Sequence, residues 1–249
     1  VDETPDQQYL HPESLLFQHL LRSAGIDTVI CDPGELAFDS RALTHNGRPV
    51  DLVYNRLTDF YLQSPAAVAL RAAHEAGAVV LTPHPRAHAL YADKRNLALL
   101  TDAARLAALG VPQHTIDCLV AGIPRTVEVM PERADALWTA RRSLFFKPAS
   151  GFGSRAAYRG DKLTQRVWKS ILDGGYVAQS LALPSERRVR VDGAGNDLKL
   201  DIRAYAYAGK IQFVAARLYT GQTTNFRTAG GGFAPVFLTD TMTSEGEAS

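Results

Sequence analysis

Residues 143–160 read Ser-Leu-Phe-Phe-Lys-Pro-Ala-Ser-Gly-Phe-Gly-Ser-Arg-Ala-Ala-Tyr-Arg-Gly. Leu144 to Phe146 form an apolar run suited to a buried strand. Lys147 ends it. Pro148 then opens a small, Gly-rich turn, Ser150-Gly151-Phe152-Gly153-Ser154. A second strand-like run, Ala156 to Tyr158, leads to a hairpin or turn at Arg159-Gly160-Asp161. Glycines let backbone N–H groups approach an anion, and a lysine fixed by a strand adds a point charge. The stretch therefore reads as a phosphate site. It is not a Walker loop, because no Gly-Lys-Ser/Thr is present and no helix opens directly after the turn. The plain alternative is a hairpin with a Gly turn and a surface lysine.

Upstream, the chain alternates helix and strand. Residues 1–12 read as disordered or extended. Residues 13–24 carry helical apolar spacing, and Gly25 is a stop. Strands are expected at Thr28–Cys31, Asp51–Tyr54 and Ala78–Leu81, with a turn at His45-Asn46-Gly47 and an alanine-rich helix over residues 65–76. This alternation implies a small α/β layer with a parallel sheet. Ligands of such sheets sit beyond the carboxyl ends of the strands, so Arg56 is placed to meet an anion or, equally, to form a loop salt bridge. Thr82-Pro83-His84-Pro85 breaks the chain, and a long helix is expected from Tyr91 to Ala108. His84 and His88 make a poor metal pair, since Pro85 interrupts the helix they would need.

Downstream, Thr126–Val129 reads as a strand, Pro131–Ala140 as a helix and Asp161–Leu172 as a helix with Trp168 on its core face. Tyr176–Leu183 is a strand closed by Pro184. The pattern then turns antiparallel: Arg187–Val191, Lys199–Tyr207 and Lys210–Tyr219, with a hairpin at Ala208-Gly209. Asp201 and Arg203 are two apart and project to one face. The plain reading has them pair with each other or with Lys199. Arg217, Asn225, Arg227 and Gly230-Gly231-Gly232 follow.

Composition narrows the class. The chain has 249 residues, 46% hydrophobic and 21% charged, with a formal net charge of +1. That is a globular profile in which no basic block argues for nucleic acid. No apolar stretch approaches the length of a membrane span and no signal peptide is visible. Cys31 and Cys118 suggest neither a disulfide framework nor a zinc site, and a reducing cytoplasm is the simplest home. The opening at Val1 reads as an incomplete N-terminus, and the polar tail from Thr239 as floppy or cut.

The order of these elements resembles the ATP-grasp superfamily, particularly its glutathione-synthetase-like and ribosomal-protein-modifying ligase-like members. The matching residues are Asp93-Lys94, Lys147-Pro148-Ala149-Ser150-Gly151-Phe152-Gly153, Val177-Ala178-Gln179, Asp201-Ile202-Arg203, Arg217, Asn225 and Gly230-Gly231-Gly232. The resemblance covers roughly residues 50–236. It implies an α/β plus α+β protein: a preATP-grasp-like parallel α/β layer over residues 1–84, then a two-lobed ATP-grasp fold with lobes over 85–175 and 176–249. It implies a ligase that joins a carboxylate to an amine or thiol through an acylphosphate, using ATP and Mg2+. A small carboxylate and an amine acceptor, of amino-acid or peptide kind, would be its partners.

By the same resemblance Lys147 meets the α/β-phosphates, Lys94 meets the nucleotide from the opposite side, and Ser150–Ser154 form a lid. Val177, Ala178 and Gln179 read the adenine, and Glu186 holds the ribose. Arg203, Arg217 and Asn225 serve the γ-phosphate and substrate carboxylate. Arg56, Arg227 and Gly231 hold substrate. The family's metal ligands are a strand Asp and a Glu-x-Asn after the Gly-Gly element. No Glu-x-Asn follows Gly232, and Asp240, Glu245 and Glu247 lie in the polar tail. Either the chain is a fragment, or Asp201 and Asn225 serve the metal in a variant site, or the domain binds nucleotide poorly. The missing acidic ligands favour a second reading, an ATP-grasp-derived nucleotide-binding module without catalysis. An unrelated α/β protein for a small anion is the third reading.

Overall fold

The computed structural model describes residues 1–151, 153, 155–191, 194–221 and 231–237. Two compact units emerge, Val1–Leu99 and Leu100–Ser249.

In the first unit, α1 (His11–Ser23) is followed by an antiparallel meander of β1 (Leu36–Phe38), β2 (Leu43–His45) and β3 (Arg48–Pro49). The turn between β2 and β3 uses positive φ at Asn46 (51°) and Gly47 (75°), where asparagine and glycine carry little strain. Next come β4 (Leu52–Tyr54), α2 (Val68–Glu75) and β5 (Val80–Thr82). β4 and β5 pair in parallel, Leu52 with Val80 and Tyr54 with Thr82, so α2 makes the expected crossover. Leu36, Leu43, Val53, Leu62, Leu70 and Leu81 pack into one core.

Three expectations fail in this unit. Residues 1–12 are not extended throughout: a short 3-10 turn spans Pro5–Gln7, and the Thr4 N–H donates to the Asp32 carboxylate at 2.8 Å. Thr28–Cys31 is no strand, because no neighbouring strand pairs with it and β-propensity without a ladder does not make a sheet. The long helix over Tyr91–Ala108 is three short ones: α3 (Pro85–Tyr91), α4 (Arg95–Leu100) and, in the second unit, α5 (Ala103–Ala108). Asp102 explains the second break, since its side chain accepts the Arg105 N–H as an N-cap. His84 caps α3 in the same way through Nδ1, and His88 stacks on Phe60 at 3.9 Å between ring centroids.

The second unit continues with α6 (Gln113–Gly122), β6 (Thr126–Glu128), α7 (Ala134–Ala140), β7 (Leu144–Pro148), β8 (Tyr158–Arg159), α8 (Gln165–Asp173) and β9 (Tyr176–Ser180). At Arg159-Gly160-Asp161 the expected hairpin or turn is a turn: a 3-10 turn over Gly160–Lys162 follows β8. These strands form an antiparallel sheet in the order β6-β9-β7-β8. Period-two alternation gives the sheet two distinct faces. One face presents the row Val127, Ala178, Phe146 and Tyr158, which packs with Leu137 of α7 and Trp168 and Ile171 of α8. Trp168 meets Phe146 edge-on at 5.5 Å, so it is a core residue, as expected. A second antiparallel sheet follows: β10 (Ser185–Val191), β11 (Ala194–Tyr207), β12 (Lys210–Tyr219) and β13 (Gly232–Pro235). The β11–β12 hairpin turns at Ala208 and Gly209, both at positive φ.

Candidate functional site

The first sheet of the second unit has its apolar row under α7 and α8. The rows of the opposite face are Glu128–Val177–Lys147 and Thr126–Gln179–Phe145–Arg159. Lys147 therefore points away from the helix-covered core, on the same face as Gln179. Its Nζ donates to Gln179 Oε1 at 2.7 Å and lies 5.6 Å from the centre of the Phe145 ring. Gln179 is 8% exposed, and its amide nitrogen donates to Thr126 Oγ1 at 2.9 Å. Thr126 Oγ1 in turn donates to the Pro124 carbonyl at 2.9 Å. The lysine is thus held at the end of a chain of buried and part-buried hydrogen bonds, which fixes where its charge stands.

The expected lid begins right after β7. Gly151 sits at φ 122° and Gly153 at φ 64°, conformations that a side chain at these positions would strain. Ser150 is exposed, while Phe152 and Ser154 lie outside the described residues.

β9 is flanked by β6 on one side and β7 on the other, so the ladder engages the peptide groups of Val177 and Ala178. Val177 and Ala178 are both buried, the latter on the helix-covered face. The segment Ala182–Pro184 beyond β9 carries no sheet pairing.

On the second sheet, Asp201 of β11 faces Arg217 of β12 across the ladder. Arg217 binds it with both forks, Nε to Oδ1 at 2.5 Å and Nη2 to Oδ2 at 2.8 Å. Its cross-strand partner thus grips Asp201 through both oxygens. Arg203 is exposed, with its guanidinium 5.8 Å from the Tyr205 ring centre. Glu186 is exposed on β10, opposite Lys199. Gly231 stands just before β13, and Asn225, Arg227 and Gly230 lie outside the described residues.

Two candidates belong to the first unit. Arg56 follows β4 and donates to Glu13 at 3.2 Å, the salt bridge that was the plain reading of that arginine. Lys94 precedes α4. Burial pushes its ammonium below the ordinary lysine value, against the pull of the Asp93 carboxylate. Asp93 itself is bound by the Arg95 side chain and N–H, the latter at 2.8 Å.

The donor set for magnesium is thin. Asp201 is one carboxylate already clamped by an arginine, whose charge opposes a cation beside it. Among the described residues the one group of three or more convergent metal-ligating side chains lies elsewhere, at Cys31, Glu35 and His45. Sequence reading missed that group, as it missed α6 and the pairing of β13.

No family model matches the chain, and no curated protein does. Solved structures do. The chain is similar to the ATP-grasp ligase PsnB complexed with a minimal precursor, with a TM-score of 0.52 and 16% identity over 96% of this chain and 76% of that one. It is also similar to PsnB complexed with a phosphomimetic variant of the minimal precursor, Mg and ADP, with a TM-score of 0.54, 15% identity and the same 96% and 76% coverage. At such identities the likeness is one of fold, and the chain has the fold of ATP-grasp ligases. Among the described residues no helix is long and apolar enough to cross a membrane.

Proposed function

We propose that this chain is an ATP-dependent carboxylate–amine (or thiol) ligase that works through an acylphosphate. The observation that carries the reading is Lys147. It stands on the face of its sheet opposite α7 and α8, held by Gln179 and followed by a glycine loop, in a chain with the fold of ATP-grasp ligases. Lys147 binds the α/β-phosphates, and Lys94 is a further candidate for nucleotide binding. Ser150–Ser154 close over the phosphates. Backbone groups near Val177 and Ala178, with Gln179, read the adenine, and Glu186 holds the ribose.

A carboxylate oxygen of the substrate attacks the γ-phosphorus. The new O–P bond forms as the bond to the β-phosphate oxygen breaks, and ADP leaves. The amine then attacks the acyl carbon, phosphate departs with the electron pair of the C–O bond, and the nitrogen loses its proton. Charge develops on the transferring phosphoryl and the acyl oxygen, so fixed cations are what the reaction needs. Arg203, Arg217 and Asn225 fill that role. Arg56, Arg227 and Gly231 hold the substrate, which is an amino acid or peptide with its amine acceptor. Asp201 and Asn225 are the candidates for Mg2+, but Asp201 with Arg217 does not make a donor set, so the protein's own cations carry the argument. The division at residues 84 and 175 into a preATP-grasp-like layer and two lobes, and a cytoplasmic setting, belong to the same proposal.

The clamp of Arg217 on Asp201 favours a second reading, a nucleotide-binding module without catalysis. Hydroxylamine separates the two. With ATP and a panel of amino acids and peptides, a ligase releases ADP and yields hydroxamate, and heavy oxygen from a labelled carboxylate enters phosphate. Arg203→Ala should lower that turnover at least tenfold with ATP affinity little changed. ATP binding with neither ADP release nor hydroxamate across the panel would establish the module instead.

A further inference from the structure

Cys31, Glu35 and His45 are far from any recognisable spacing motif, yet the fold brings their ligand atoms within 4.8 Å of one another. The cause is local and rigid. Asp32 accepts the Gly34 N–H at 2.8 Å and the Thr4 N–H at 2.8 Å, which sets a tight 3-10 turn over Pro33–Glu35. That turn carries the Cys31 thiol and the Glu35 carboxylate to one side. Register then does the rest: β1 pairs with β2 so that Leu36 stands opposite His45, and the imidazole arrives beside Glu35. His45 Nε2 lies 3.3 Å from Glu35 Oε2. Two ligands on a tetrahedral zinc ion, at the usual Zn–N and Zn–O lengths, stand about 3.4 Å apart.

We propose that Cys31, Glu35 and His45 form a three-ligand site for zinc, with the fourth position left for water or another ligand. The donor chemistry fits. A thiolate and an imidazole are the favoured zinc donors, and a carboxylate completes common zinc sets. The charges balance as well: thiolate and carboxylate together neutralise Zn2+, which suits a site where the thiol is 2% exposed. Binding exchanges the S–H bond for an S–Zn bond and releases one proton to solvent. The ion ties the 3-10 turn to the β1–β2 meander, so it staples the first unit. A simple His45–Glu35 ion pair beside a core thiol is the competing account, and it needs no metal.

The test uses the full chain carrying Cys118→Ser, which removes the exposed thiol. Zinc alone is titrated against a chromophoric chelator, with proton release followed in weak buffer. The site predicts one tight zinc per chain, one proton released, and a thermal midpoint raised by zinc and lowered by chelator. Cobalt in its place should give a near-ultraviolet thiolate charge-transfer band. Glu35→Gln, at an exposed position, should weaken zinc at least tenfold, and His45→Gln more. Cys31→Ser should abolish the cobalt band. Should Cys31→Ser fail to fold, the two surface-side variants still decide. Absence of stoichiometric zinc, or unchanged affinity in both Glu35→Gln and His45→Gln, would overturn the site. The proposal rests on the first unit alone and stands or falls independently of the ligase reading.

Discussion

Gln179→Met removes the amide that holds Lys147 and keeps the volume of the side chain. Two short hydrogen bonds are lost, together with a long one from the amide nitrogen to the Pro124 carbonyl at 3.5 Å. The one from Lys147 Nζ at 2.7 Å is charge-assisted and contributes about 1.5–3 kcal/mol, and the neutral one to Thr126 Oγ1 at 2.9 Å contributes about 0.5–1.5 kcal/mol. Thr126 Oγ1 still donates to the Pro124 carbonyl, so no hydroxyl is stranded. The thioether buries more apolar surface than the amide did, and that offsets roughly 1 kcal/mol. A net loss of about 1–3 kcal/mol is expected, read as a lower urea midpoint at unchanged slope. ATP affinity should fall as well, because ordering a released lysine costs about 0.5–1.5 kcal/mol, a factor of about two to ten. Wild-type stability together with wild-type ATP affinity would refute the idea that Gln179 positions the lysine.

Further outcomes follow from other sites. Gly160→Ala should cost about 3 kcal/mol or more in urea unfolding, since its Cβ would stand 1.8 Å from the Arg141 carbonyl oxygen and 2.9 Å from that of Leu144. A variant as stable as wild type would mean that backbone yields freely there. Asp93 is held below the ordinary carboxylate range, first by the Arg95 side chain. A depressed folded value contributes stability above the unfolded value and loses it as pH falls through the folded one. Acid melting curves of Asp93→Asn should therefore flatten below about pH 4 relative to wild type; parallel curves would remove Asp93 from the account.

Much of the fold was legible because local chemistry and tertiary structure agree. Phe146 and Lys147 are adjacent, so they must point to opposite faces of β7, and the apolar one found the helices. Ala208-Gly209 turned the hairpin where expected. The failures trace to physics that one stretch cannot show. Thr28–Cys31 has strand composition but gains no pairing partner. Apolar periodicity ran through Tyr91–Ala108 while the Asp102 cap cut it, a signal present in the sequence and outweighed by counting leucines. Asp201 and Arg203 share a face, yet cross-strand register also brings Asp201 opposite Arg217 on the hairpin's far strand, sixteen residues on, which local spacing does not show. The same dependence on register hid His45 from Cys31 and Glu35. Candidates at Phe152, Ser154, Asn225, Arg227 and Gly230 fall outside the described residues.

The most direct test of the central claim is calorimetric titration of ATP into the wild type and Lys147→Met, with circular dichroism confirming that both are folded. Lys147→Met keeps the apolar stem and deletes the charge. Loss of a charge-assisted phosphate contact predicts at least a tenfold weaker Kd, on the scale of about 1.5–3 kcal/mol. Equal affinity in the two folded proteins, or no ATP binding by the wild type, would contradict a nucleotide site at Lys147.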